Sequence, residues 1–162
     1  MNKQSIFNQI SAQLKDAQEK AVEDRDTAQT EANLHIGRME SRYDTFKQEA
    51  QYEVEAQELR ISKYKDGISQ IRALLEDASN MNSSPKIQIG SIVKLASESG
   101  EEKSYILSPA GGGIVVKEES LSIFTLTPES PLGKQLLGLK IGDECNLHTN
   151  ESKTHWIVKE IL

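Results

Sequence analysis

Cysteine, proline, glycine and aromatic residues are all scarce in this chain, and each scarcity narrows what it can be. The one cysteine, Cys145, cannot close an internal disulfide and suits a reducing compartment. Aromatics make up only 5% of 162 residues and apolar residues 36%, so any core is lean. No apolar run approaches the roughly 20 residues needed to cross a bilayer, and residues 1–30 have no apolar signal-peptide region. These features predict a cytoplasmic protein without membrane contact. A basic excess is missing too: residues 1–78 carry 11 basic against 15 acidic side chains, and 79–162 carry 8 against 10. Tight binding to nucleic-acid phosphates draws on clustered Lys and Arg, so neither half reads as a nucleic-acid module. The acidic balance favours a basic protein surface or a metal ion as partner.

What is present falls into two halves. Residues 1–78 hold no proline and only Gly37 and Gly67, and are rich in Ala, Gln, Glu and Lys, which favour helix. Ile10, Leu14, Ala17, Ala21, Asp24, Ala28, Ala32, His35 and Met39 recur at steps of three and four. So do Ala50, Val54, Gln57, Ile61, Tyr64, Ile68, Ile71, Leu75 and Ala78. Two such stripes are the seams of a coiled coil. Folded antiparallel, they set Ile10 against Leu75, Leu14 against Ile71, Ala21 against Tyr64 and His35 against Ala50. The tip then lies near residues 40–45, about 45 Å of helix from Ile10. Asp24 and Gln57 make polar layers, and Asp44 suits the N-cap of the second helix.

Residues 79–86 read as a polar linker, and residues 87–162 as a small β-rich domain. Short β-branched runs at 87–95, 103–107, 114–117, 121–127, 144–149 and 154–162 alternate with turns. Ser130-Pro131-Leu132-Gly133-Lys134-Gln135-Leu136-Leu137-Gly138 carries a capping serine, a first-turn proline and a stop glycine, so it predicts one short helix. Gly111-Gly112-Gly113 lacks a P-loop lysine and reads as a surface loop rather than a phosphate cradle. The fold class expected is α+β: a long antiparallel helical hairpin followed by a small β-rich domain.

The segment from Thr127 to Gly138, followed by Lys140-Ile141-Gly142-Asp143-Glu144, resembles the C-terminal signature of the Gre family of bacterial transcript-cleavage factors. Ala50-Gln51-Tyr52 is similar to the Ala-Glu-Tyr that follows that family's acidic tip. The resemblance implies an FKBP-like C-terminal domain that docks on bacterial RNA polymerase, with Ser130, Pro131, Leu132 and Gly133 near the docking surface. It implies a hairpin that enters the polymerase secondary channel, and a monomer that is not itself an enzyme. The tip acids Asp44, Glu40 and Glu49 would then assist a Mg²⁺ shared with the polymerase active centre, so that the polymerase cleaves backtracked RNA. Carboxylates suit that task because Mg²⁺ prefers hard oxygen ligands. No metal or cofactor would be held by this chain alone. Arg42 and Tyr43 would touch the polymerase or, within the complex, the RNA 3′ end.

The tip departs from the family pattern. Asp44-Thr45-Phe46-Lys47-Gln48-Glu49-Ala50-Gln51-Tyr52 is one residue longer than the family stretch, and Gln48 stands where a Glu falls. Asp44 and Glu49 are five apart and would not share a helix face. The alternative expectation is therefore a Gre-like regulator that occupies the channel without stimulating cleavage.

Overall fold

The structure, a computed structural model, describes residues 2–34, 43–77, 84–118, 121–149 and 152–162. Two long helices come first, α1 (Lys3–Leu34) and α2 (Tyr43–Glu76). Asn2 caps α1: its Oδ1 accepts the amides of Gln4 at 3.0 Å and Ser5 at 3.3 Å, satisfying donors that the first turn leaves free. The expected turn, the expected linker and His35 lie largely or wholly outside the described residues.

Gln13–Ile68 forms one compact unit. Leu14, Ala21, Ala28 and Ala32 of α1 are buried in it, as are Gln57 and Gly67 of α2. Ala50, Val54, Ile61, Tyr64 and Ile68 are half-buried, so the seam follows the expected steps on both helices. The exception is Asp24, which is exposed, while Arg25 beside it is half-buried and pairs with Asp26 at 2.6 Å. Desolvating a carboxylate is costly, whereas an arginine can lay its methylenes along a seam and keep its charge in water. The polar layer at Gln57 does form: that side chain is 6% exposed and its Oε1 has no hydrogen-bond partner.

Met1–Ala12 and Ser69–Leu162 make the other unit. Its sheet consists of β1 (Ile92–Ser97), β2 (Glu102–Leu107), β3 (Val115–Glu118), β4 (Leu121–Leu126), β5 (Glu144–Thr149) and β6 (Ser152–Ile161). The strand order is β3-β4-β2-β1-β6-β5, with β2 and β4 parallel and every other pair antiparallel. The short helix α3 (Pro131–Leu136) precedes β5. The run expected from residue 87 becomes a strand only at Ile92, because Gly90 has φ 94° and Ser91 N donates back to Gln88 O at 3.0 Å.

Strand alternation divides the sheet's side chains into two sets. Val93, Leu95, Tyr105, Leu107, Cys145, Trp156 and Val158 form one core with Leu132 and Leu136, which lie one turn apart on α3. Ile92, Ile106, Val116 and Ile123 are equally buried and belong to the other set. In the same unit Ile6, Phe7, Ile10, Ile71 and Leu74 are buried, an apolar complement supplied by the helix ends. Glu118 of β3 ties α1 to the sheet, accepting from Asn2 N and from Ser5 Oγ at 3.3 Å each.

Candidate functional site

The first group of candidate residues surrounds the start of α2. Tyr43 and Asp44 are its first two residues, so the Asp44 backbone is helical. An N-cap residue is not, and the expected capping role of Asp44 therefore does not hold. Gln48 and Glu49 are exposed within the same helix. At about 100° per residue, five residues separate Asp44 and Glu49 by about 140° around the axis, so the two do not converge. Glu40 and Arg42 lie outside the described residues. Among the described residues, no three His, Cys, Asp or Glu side chains gather to hold a metal ion.

The second group, around α3, is built as a folding device. Ser130 Oγ donates to Thr127 O at 2.7 Å and accepts from Gly133 N at 3.0 Å, which caps the helix. Pro131 occupies the first turn, where its missing amide hydrogen costs nothing. Leu132 enters the core. Gly133 is buried, and a Cβ there would collide with the carbonyl oxygen of Thr127. The next segment is equally committed: Lys140 N donates to Asp143 Oδ2 at 2.8 Å, and Gly142 turns at φ 92° with its amide on Val158 O at 2.9 Å. Of Ser130, Pro131, Leu132 and Gly133, only Pro131 is exposed.

The remaining chemistry-bearing groups are quiet. Burial pushes the Cys145 thiol up, which makes it a poor nucleophile. Burial, with the Cys145 and Glu101 charges adding, pushes the Tyr105 phenol up to about 12. Lys103 Nζ sits 5.1 Å from the Trp156 ring centroid and pairs with Glu101 at 3.1 Å. In the glycine loop, Gly113 N donates to Thr125 O at 2.9 Å and Ile114 N to Gly111 O at 3.1 Å, so two of its amides are already used.

Sequence reasoning did not mark as exposed the apolar side chains Tyr52 and Leu59 on α2, Val115 and Phe124 on β3 and β4, and Leu137 and Ile141 after α3. For Tyr52 and Leu59 the signal was available: they stand seven apart, opposite the seam. For the others it was not, because a strand or turn residue becomes exposed only through the layer that fails to cover it.

A family model described as the C-terminal part of the transcription elongation factor GreA/GreB matches residues 82–162, half of the chain. No curated protein sequence matches it. Among solved structures, the transcription factor Gfh1 is 24% identical with a TM-score of 0.42, covering 93% of this chain and 92% of its own. The GreA factor homolog Gfh1 of Thermus thermophilus is 23% identical with a TM-score of 0.39, covering 94% of each chain. The prokaryotic transcription elongation factor GreA/GreB from Nitrosomonas europaea is 20% identical with a TM-score of 0.38, covering 59% of this chain and 78% of its own.

Proposed function

The chain belongs to the GreA/GreB family of transcription elongation factors, and from that premise we propose that it enters the RNA polymerase secondary channel and stimulates cleavage of backtracked RNA. The family match over the β-rich domain carries this reading, together with the helical hairpin that precedes it. The hydrolysis belongs to the polymerase. This chain contributes position and a carboxylate: Asp44 in the first turn of α2, with Glu40 four residues earlier in sequence. A Mg²⁺ in the polymerase would polarise the attacking water, and an oxygen from Asp44 would help hold it.

A second reading is favoured by the acid register. Gln48 replaces a carboxylate, and Asp44 and Glu49 diverge on one helix. On that reading the chain occupies the channel and modulates transcription without cleavage.

One experiment separates the two. Stalled, backtracked complexes are incubated with Mg²⁺ and the wild-type chain, or with Asp44→Ala or Glu40→Ala. Release of a 3′ RNA fragment by wild type, reduced at least tenfold by Asp44→Ala, supports cleavage. Binding without release, together with competition against an authentic cleavage factor, supports the second reading. Failure to co-purify with core polymerase sinks both.

A further inference from the structure

The seam of the helical unit thins along its length, and the order of its layers shows where. In the antiparallel register of the two stripes, Ala21 stands level with Tyr64, Asp24 and Arg25 with Ile61, Ala28 with Gln57, and Ala32 with Val54. Ala21 is buried and Tyr64 half-buried, and Leu14 and Gly67 are buried on the inner side of them. The next two layers hold no apolar pair. Asp24 is exposed with Arg25 half-buried, and Gln57 is 6% exposed with an unpartnered Oε1. Past Gln57 the covered apolar side chains among the described residues are Ala32, Ala50 and Val54, of which only Ala32 is fully buried. Hydrophobic stabilisation follows the apolar area removed from water, so this outer stretch is the most weakly held.

The polar groups at the same level turn back on their own helix. Thr27 Oγ1 donates to Glu23 O at 3.0 Å and Thr30 Oγ1 to Asp26 O at 2.8 Å. Such a bond to the carbonyl four residues earlier competes with the helix's own ladder and favours a bend. Gln29 Nε2 donates to Asn33 Oδ1 at 3.3 Å and Arg25 pairs with its neighbour Asp26, so these bonds also stay on α1. The buried Gln57 carbonyl oxygen recovers its hydrogen bonds when the helices part and water reaches it. Opening is thus least costly at the Ala28–Gln57 layer.

We propose that the Ala28–Gln57 layer is a built-in breakpoint. The outer part of the helical unit, residues 28–33 with 48–57, parts and closes as a cooperative unit of its own. The inner part, residues 13–21 with 64–68, stays paired meanwhile. Closed, the outer part orphans the glutamine; open, it hydrates the glutamine and exposes three small apolar side chains. Each state carries one modest penalty, so the two lie close in free energy and a small bias shifts the balance between them. This device belongs to the fold alone and holds whether or not the chain acts on polymerase.

Hydrogen exchange of the full-length chain tests this amide by amide. Helical stretches this short are marginal in water once parted, so their amides exchange when the seam opens. Protection of residues 30–33 and 50–56 is expected to lie about tenfold or more below that of 14–21 and 64–68, with a step at Gln57. Gln57→Leu removes the orphaned group and should raise the outer protection about fivefold while leaving the inner unchanged. Val54→Ala trims the largest covered side chain of the outer part and should lower outer protection about fivefold, again without effect on the inner. Equal protection on both sides of Gln57 overturns the breakpoint, as does a change that either variant spreads over both parts alike. A smooth decline toward residues 33 and 50 that Gln57→Leu leaves unaltered overturns it too, because that is fraying from the helix ends.

Discussion

The two compact units use their apolar residues differently. The sheet unit concentrates them: Trp156, Tyr105, Leu95, Leu107, Val158, Leu132 and Leu136 meet in one core, and a second set of isoleucines and a valine lies equally buried. The helical unit has a stripe one side chain wide, mostly alanine on α1, with an unsatisfied glutamine in it. Burial stabilises by roughly 25 cal/mol per Å² of apolar surface, so the first unit holds a large reserve and the second a small one. The side chains left for contact are distributed the opposite way from what motif reading suggests. Ser130, Leu132 and Gly133 are consumed by folding, whereas Glu49, Glu53, Glu55, Tyr52 and Leu59 are free for contact.

The strongest way to break this comparison is to empty the first core. Trp156 is fully buried between Cys145 and the neighbouring strand, and Trp156→Ala removes its largest side chain. A loss of about 3–5 kcal/mol is expected, measured by urea unfolding. Hydrogen exchange gives the sharper reading. Amides of the sheet should lose protection, while those of residues 13–33 and 48–68 keep theirs. Equal losses in both would show that the units unfold as one and would dissolve the contrast.

Next comes Gly133→Ala, a single methyl group. Its Cβ would meet the Thr127 carbonyl, which is backbone and already accepts the Ser130 hydroxyl. The chain must shift, at about 2–3 kcal/mol, seen as a lower thermal midpoint. This would exceed the usual cost of losing a cap, about 1 kcal/mol, so Gly133→Ala should be worse than Ser130→Ala. The reverse order would mean that the signature is held by the serine and not by the close approach.

A milder probe of the same core is alkaline pH. The Tyr105 phenol stands at about 12 against an ordinary 10, because burial disfavours the phenolate. A raised acid contributes stability that is intact below pH 10 and is lost as pH rises through about 12. Tyrosinate absorbance should therefore show one late-titrating phenol, and the sheet unit should weaken across that window. Tyr105→Phe should remove the window.

Much of this was legible in sequence, for reasons that differ by region. The seams followed from the 3.6-residue period, which is local and survives any tertiary context. The α3 cap followed from Ser130 and Pro131, again a local rule. The sheet order was not legible, since β2 and β4 pair in parallel across a connection that no short-range signal encodes. Nor was the place of Ile6, Phe7 and Ile10, which continue the α1 period but belong to the compact unit of the sheet. The Asp24 layer failed because spacing alone cannot choose between adjacent charged residues, and the longer arginine was the cheaper one to half-bury. The candidate tip was readable only as a pattern: Asp44 and Glu49 were expected to diverge if helical, and both lie in α2.

The smallest expected effect has the opposite sign and tests the helical unit itself. Gln57 is buried with an unpartnered Oε1, and such a group costs about 1–3 kcal/mol relative to a satisfied one. Gln57→Leu keeps nearly the same volume and restores the apolar stripe beside Val54 and Ile61. It should stabilise the unit by about 1 kcal/mol, raising the midpoint of helix melting. If the glutamine is retained only for solubility, nothing else changes. A polar seam residue also opposes alternative pairings, because any register must find a place for it. The variant should then form some dimer at high concentration, detectable by sedimentation, as the uniform seam begins to accept a second chain. Stabilisation without dimer would leave Gln57 a simple defect. Loss of stability would mean that the amide nitrogen makes a contact worth more than the orphaned oxygen costs.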